Sequence, residues 1–303
     1  MKIIRNIFLC VILLYIALTI IAYLPYDTTP VKELAGKDGK FIRVNGNKIH
    51  YIKKGTGKSL ILVHGFGGST YTWRNLIPLL TEDYTVYALD LLGFGLSNKP
   101  PNGSYDLPSQ GDLVLSFIDA VGIPSATLIG HSMGGIIISY AAIKDPSRVD
   151  KLVIIEAAFY HGGAPAFLQY LFFPLQRIMA KLFYTKGFRS KSLLPSYYNK
   201  SIVTDKVIEA NLMAGKTPNS VEAMAKMMAD AGPQTYEGLG TRITQPTLLV
   251  WSQYNKNNPV TDGKRLKNEI AGSQLTIIDN CGHYVQEEKP VDLAAAINNF
   301  LSQ

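Results

Sequence analysis

Cysteine is scarce in these 303 residues: there are only Cys10 and Cys281, and Cys10 lies inside an apolar run. This placement argues against an internal disulfide, so cysteine content says nothing of the redox compartment. No His or Cys grouping at metal-ligand spacing stands out. The glycine-rich residues 90–97 lack the lysine of a phosphate-cradling loop, and Gly93-Phe94-Gly95 is too short a fragment to carry a nucleotide. Neither a metal nor a cofactor is therefore expected. Repeats, low-complexity tracts and nucleic-acid motifs are also missing, which argues against a solenoid and leaves no support for a nucleic-acid partner.

Long apolar runs are equally few, and the one present is terminal. Residues 7–24 are apolar apart from Thr19 and two tyrosines, with Lys2 and Arg5 before them and Pro25 after. The length is at the lower edge of what crosses a bilayer. No small-x-small cleavage pattern stands near Ala22-Tyr23-Leu24, so residues 1–26 are expected to be an uncleaved membrane anchor, with a cleaved signal as the rival. Lys2 and Arg5 then predict a cytoplasmic N-terminus and a catalytic domain on the far side; cleavage would instead give a secreted protein.

What the chain has in quantity is hydrophobic residues, 47%, and a net charge of +7. Much of that charge lies between Arg177 and Lys216, where eight Lys and Arg residues face only Asp205 and Glu209, interleaved with Phe183, Tyr184, Phe188, Tyr197 and Tyr198. Such a stretch reads first as a solvated helical face, and second as a surface for anionic lipid.

Along the chain, short buried-strand patterns alternate with helical spacing. Residues 27–40 read as a polar linker, and residues 41–44 and 48–53 flank the hairpin signal Asn45-Gly46. Strand-like runs follow at 59–63, 84–89, 126–129, 149–155, 247–251 and 274–278. Helical spacing is found at 73–80, 112–121, 261–270 and 291–301. This alternation predicts an α/β fold with a mostly parallel sheet covered on both faces. It stops between residues 159 and 240, which read as a helical cap inserted between core segments 41–158 and 241–303.

Gly130-His131-Ser132-Met133-Gly134 joins a buried strand to a helix, the pattern of a sharp elbow that lifts a serine hydroxyl out of a sheet edge. A serine needs a base, and the base needs a group that holds its tautomer. Of five histidines, His283 follows the last strand directly and reaches the edge where the elbow opens. His50 lies in the hairpin, His64 begins a glycine turn, His131 sits inside the elbow and His161 opens the insertion.

These residues together resemble the α/β-hydrolase family. The likeness rests on His64-Gly65-Phe66-Gly67-Gly68, residues 90–97, the elbow around Ser132, Trp251 followed by Pro259, and Gly282-His283 followed by Glu287-Glu288-Lys289-Pro290. It implies Ser132 as nucleophile, His283 as general base, and the amides of Phe66 and Met133 as oxyanion donors. His64, Gly65 and Phe159 are expected to line the substrate site, with His64 and Asp90 also supporting the turns they begin. The acid departs from the family pattern, because Asn255 stands where relatives carry aspartate. In serine proteases the equivalent change costs roughly 10⁴ in turnover. Three readings are open. Glu156 supplies the charge from the end of the neighbouring strand, as in one group of haloalkane dehalogenases; or Ser132 and His283 work as a slower dyad helped by neutral Asn255; or turnover has been lost, either naturally or because an aspartate at position 255 was deliberately replaced to trap a ligand.

A serine nucleophile excludes the dehalogenase and epoxide-hydrolase routes, which the family runs through an aspartate. What remains is acyl transfer on an ester, thioester or amide carbonyl, of which a carboxylic ester is expected. With an anchor and the aromatics Phe159, Tyr160, Phe167, Tyr170, Phe172 and Phe173, the resemblance extends to membrane-anchored monoacylglycerol lipases and bacterial carboxylesterases, and implies a monoacylglycerol or lysophospholipid as the small-molecule ester. The alternatives are a carbon-carbon bond hydrolase of ring-cleavage products and a catalytically weakened ligand binder.

Overall fold

A computed structural model describes residues 2–160, 162–163, 173–230 and 233–303. Helix α1 (Lys2–Tyr23) is long and apolar enough to cross a membrane by length and composition, a test that a signal sequence also passes. Its side chains are exposed except near the C-terminal end, where Ala22 is buried. Residues 27–40, expected as a linker, are tied down: they carry α2 (Val31–Leu34), Tyr26 beside them donates to Glu222, and the Thr29 amide donates to the Lys216 carbonyl.

β1 (Gly39–Val44) and β2 (Asn47–Lys54) form the hairpin about Asn45-Gly46, both at positive φ (49° and 78°), as a two-residue turn demands. β3 (Lys58–Val63) follows. Residues 70–80, in part expected as one helix, instead form a 3₁₀ turn at Thr70–Trp73 and then α3 (Ile77–Leu80). Pro78 explains the break: it has no N–H to give to a preceding turn, so it sits where a new helix starts. β4 (Tyr84–Leu89), α4 (Leu107–Ala120), β5 (Ala126–His131), α5 (Met133–Lys144) and β6 (Val149–Ile155) complete the first part.

After β6 come the two-residue β7 (Gly162–Gly163), helices α6 (Leu175–Phe183), α7 (Lys186–Leu193), α8 (Asp205–Leu212) and α9 (Ser220–Asp230), and β8 (Pro233–Gln234), which pairs with β7. The chain then returns through β9 (Thr247–Ser252), α10 (Val260–Glu269), β10 (Gln274–Ile278), α11 (Val285–Glu288) and α12 (Pro290–Leu301). Of the expected aromatic roof, Phe167, Tyr170 and Phe172, together with His161, lie outside the described residues.

The main sheet has the order β1-β2-β4-β3-β5-β6-β9-β10, parallel from β4 to β10. Its inner strands read as nearly unbroken apolar runs because both faces are covered, whereas the edge strands are partly exposed. Ile61, Val63, Leu128, Ile154 and Leu249 pack against α4, α5 and α10, while Leu60, Leu62, Ile129, Val153 and Leu248 pack against α3 and α12. Parallel strands end on one edge, and that edge gathers the turn after β3, Ser132 after β5, Glu156 after β6, Asn255 after β9 and His283 after β10.

The basic stretch between β6 and β9 is less solvated than its composition predicts. Arg189 is only 5% exposed and donates to the Gly67 carbonyl (2.7 Å) and to Asn211 (2.9 Å). Arg177 pairs with Glu222 and donates to Ala22 O (2.8 Å), and Lys181 donates to Ile21 O (2.9 Å) and Leu24 O (2.6 Å). Cations at the C-terminal end of α1 give partners to carbonyls of its last turn and oppose the negative end of its dipole.

Candidate active site

The elbow is a packing solution before it is a chemical one. A Cβ at Gly134 would lie 2.2 Å from the Val63 carbonyl oxygen, and one at Gly130 would lie 2.4 Å from that of Gly134. Only glycine lets β3, β5 and the start of α5 approach so closely. Ser132 between them is held at φ 54°, a region that non-glycine residues rarely adopt, with its amide donating to Ile155 O (2.8 Å). Met133 opens α5, so its N–H belongs to the first turn and has no acceptor within the helix.

The second wall is the turn after β3. A Cβ at Gly65 would meet Ser132 Cβ at 3.0 Å, so the turn lies directly against the elbow. The Gly68 amide closes the turn on Gly65 O (3.1 Å), His64 Nδ1 bonds Gly65 O (2.7 Å), and His64 Nε2 accepts from the Leu91 amide (3.1 Å). With both ring nitrogens on backbone, His64 is neutral by construction, and burial lowers its pKa further.

The loop after β10 carries His283. Its amide donates to Ser196 O (2.7 Å), Glu288 Oε1 accepts from the Gly282 amide (2.8 Å), and His131 Nε2 bonds the His283 carbonyl (2.8 Å). The His131 and His283 rings lie 4.6 Å apart between centroids, which puts the His283 imidazole beside the residue preceding Ser132. Burial pushes His283 down to about 4. Among the described residues no carboxylate bonds it to offset that.

Asn255 bonds His283 Nδ1 through its amide nitrogen (2.9 Å), and the same nitrogen donates to Glu156 Oε2 (2.5 Å). The Asn255 carbonyl accepts from the Asn257 amide (3.0 Å), which favours the orientation that turns its NH₂ group toward His283. Glu156 is fully buried at φ 51°, its Oε1 accepts from the Ser252 amide, and burial raises its pKa to about 8 against the pull of those hydrogen bonds. Asn255 therefore stands between Glu156 and His283, and direct charge support from Glu156 is absent.

A family model described as the alpha/beta hydrolase fold matches residues 58–290. The chain belongs to the α/β-hydrolase family. An uncharacterized hydrolase of Bacillus subtilis is 28% identical over 257 residues, covering 83% of this chain and 92% of the relative. A meta-cleavage product hydrolase of Pseudomonas fluorescens aligns with a TM-score of 0.74 at 26% identity, over 87% of this chain and 97% of the other. A bacterial membrane phospholipase A aligns with a TM-score of 0.73 at 25% identity, over 99% of this chain and 96% of the other.

In this α/β-hydrolase the sheet edge brings together six of the nine expected site residues: Gly65, Phe66, Ser132, Met133, Asn255 and His283, with Glu156 immediately behind Asn255. His64 and Phe159 are fully buried, so neither presents surface to a ligand. The reason differs for each: His64 spends both nitrogens on the turn, and Phe159 packs into the core with its carbonyl accepting from the Tyr236 amide. Three supporting residues were not singled out from sequence. In the sequence His131 reads only as part of the elbow, Glu288 only as part of a family pattern, and Arg189 only as part of a charged face, although Arg189 bonds the carbonyl of Gly67. Spacing carries no mark of a contact made across 122 positions. Among the described residues no three His, Cys, Asp or Glu side chains gather as a metal site requires.

Proposed function

We propose that this hydrolase cleaves a carboxylic ester through an acyl-enzyme on Ser132, and that its substrate is lipid-like, a monoacylglycerol or a lysophospholipid. The observation that carries the ester reading is the position of the His283 imidazole, on the loop after β10, with its ring 4.6 Å from that of His131, the residue before Ser132 on the glycine elbow. Ser132 Oγ attacks the ester carbonyl and passes its proton to His283 Nε2, which returns it to the departing alcohol. Water then enters by the same route, its proton going to His283 and on to Ser132 as the acid leaves. The amides of Phe66 and Met133 stabilise the oxyanion, a contribution worth roughly 10²–10³ per donor in comparable enzymes.

Support for a lipid-like substrate comes from the fastening of α1. Reading α1 as an anchor, Arg177 and Lys181 of α6 hold its C-terminal carbonyls, and Phe173 packs on Tyr23 (5.8 Å). The helices over the site would then stand at the bilayer surface, where such esters reside. The likeness to a membrane phospholipase A along nearly the whole chain agrees with this. The likeness to a meta-cleavage product hydrolase supports carbon-carbon bond hydrolysis as the second reading.

A fluorophosphonate probe is expected to label the protein and to fail on Ser132→Ala. Monoacylglycerols of long chain are expected to turn over faster than short acyl esters. A folded protein that stays unlabelled would refute the enzyme, and turnover of a ring-cleavage dienone without ester turnover would favour the second reading.

A further inference from the structure

Asn255 makes a choice that an aspartate in its place would not have. Its NH₂ group points at Glu156 Oε2 and at His283 Nδ1, so His283 Nδ1 is an acceptor here. A neutral imidazole that accepts at Nδ1 carries its proton on Nε2. That tautomer cannot take a proton from Ser132. The opposite amide orientation would place Oδ1 between the same two neighbours, accepting from His283 Nδ1–H, and would need Glu156 to be a donor.

Resting on the serine-hydrolase reading above, we propose that Glu156 is a positioning residue that selects the tautomer of His283 through the orientation of the Asn255 amide. An ionised Glu156 draws the NH₂ group toward itself and leaves the ring proton on Nε2. A protonated Glu156 donates to Asn255 Oδ1, the same oxygen accepts His283 Nδ1–H, and Nε2 is free to deprotonate Ser132.

Around Glu156 most contacts are made to backbone, and besides the neighbouring Ser252 hydroxyl the adjustable one is Asn255. Its amide donates to Val250 O (3.0 Å), its carbonyl accepts from Asn258 Nδ2 (2.6 Å), and Oε1 is held by the Ser252 amide, so Oε2 alone faces Asn255. The titratable groups around it are Asp262 on α10, and Cys281 and His283 on the loop after β10. Asp262 adds negative charge and favours protonation of Glu156. Burial, the larger influence, raises it to about 8, so both forms are reached near neutral pH. The flip sacrifices the acceptor of the Asn257 amide, which biases the ionised form toward the orientation seen here.

The test is the pH profile of kcat/KM for an ester substrate, using the full chain. Activity is expected to fall about tenfold between pH 7 and pH 9, opposite to the alkaline plateau of a histidine base. Glu156→Gln supplies a permanent donor toward Asn255 while its carbonyl keeps the Ser252 amide, so that variant should stay within about twofold over the same range. A wild-type profile that is flat or rises from pH 7 to 9 overturns the proposal, as does a Glu156→Gln profile that still falls. Should Glu156→Gln not fold, ¹⁵N spectra of histidine-labelled wild type decide it: His283 Nε2 should change from acceptor to protonated between pH 7 and 9, and an unchanged signal refutes it. Fluorophosphonate labelling separates the two claims. Labelling that is lost in Ser132→Ala but independent of pH sinks only the tautomer selection, whereas no labelling at any pH sinks both.

Discussion

His50 is buried and His283 half-buried, and each is linked to a buried acid, yet the linkage differs by one side chain. His50 Nδ1 bonds Asp90 Oδ2 directly (2.7 Å), and the same carboxylate accepts from the amides of Thr70 (2.6 Å) and Leu96 (2.7 Å). His283 meets Asn255, and the acid, Glu156, stands behind it. The acids respond in opposite senses. Burial alone would raise Asp90, but the His50 and His64 imidazoles and the Leu96 amide outweigh it and hold the group below the usual carboxylate range. Glu156 has no cation in contact, so burial wins and lifts it to about 8. A carboxylate in the interior stays charged when donors and an imidazole touch it, and an interposed amide is not enough.

The largest expected effect breaks the direct pair. Asp90→Asn leaves amides and an imidazole without their anion and should cost about 3–5 kcal/mol of stability, read by urea denaturation. A loss under about 1 kcal/mol would show that the His50 arrangement contributes no more than an ordinary hydrogen bond.

Making the second assembly resemble the first gives the next effect. Asn255→Asp puts a carboxylate on His283 Nδ1, fixes the proton there and stabilises the imidazolium, so ester kcat/KM should rise by on the order of 10². A nearby negative charge raises an imidazole pKa, so the acid limb of the profile should also move up from about 4. An unchanged rate would mean that the native Asn255 already suffices.

The smallest effect is on stability against pH, where the acids should part company. Asp90, depressed when folded, contributes stability above its unfolded pKa, and that stability is lost as pH falls through the lower folded value. Glu156, raised when folded, contributes stability that is complete below its unfolded value near 4.5 and is lost as pH rises toward about 8. Thermal melts from pH 3 to 9 should therefore decline on both sides, with Glu156→Gln flattening the slope between about pH 5 and 8. A melt that rises across that window would contradict the assignment of a buried, neutral Glu156.

Much of the frame was legible in order of residues. Apolar run 84–89 is a strand at those bounds because a strand buried on both faces needs an unbroken hydrophobic run, and 274–278 is a strand at its bounds as the sheet's edge, where only its last residue is buried. Gly130 and Gly134 announced the elbow because no other residue leaves room there. Phe159 misled, since an aromatic that roofs a cleft and one that fills a core share the same composition; its burial is complete. Arg189 misled for the opposite reason: charge suggests solvent, but the Gly67 carbonyl satisfies it from another part of the chain.

The sequence by itself determined the alternation that builds a parallel sheet, the elbow at Ser132 and the substitution of Asn255 for an acid, because each depends on local size, spacing or residue type. Only the tertiary structure decided what Asn255 touches and on which side Glu156 lies. Hydrogen bonds between strand ends about 100 positions apart depend on how parallel strands converge on one edge. The charge state of a buried acid depends on the donors that convergence brings within reach.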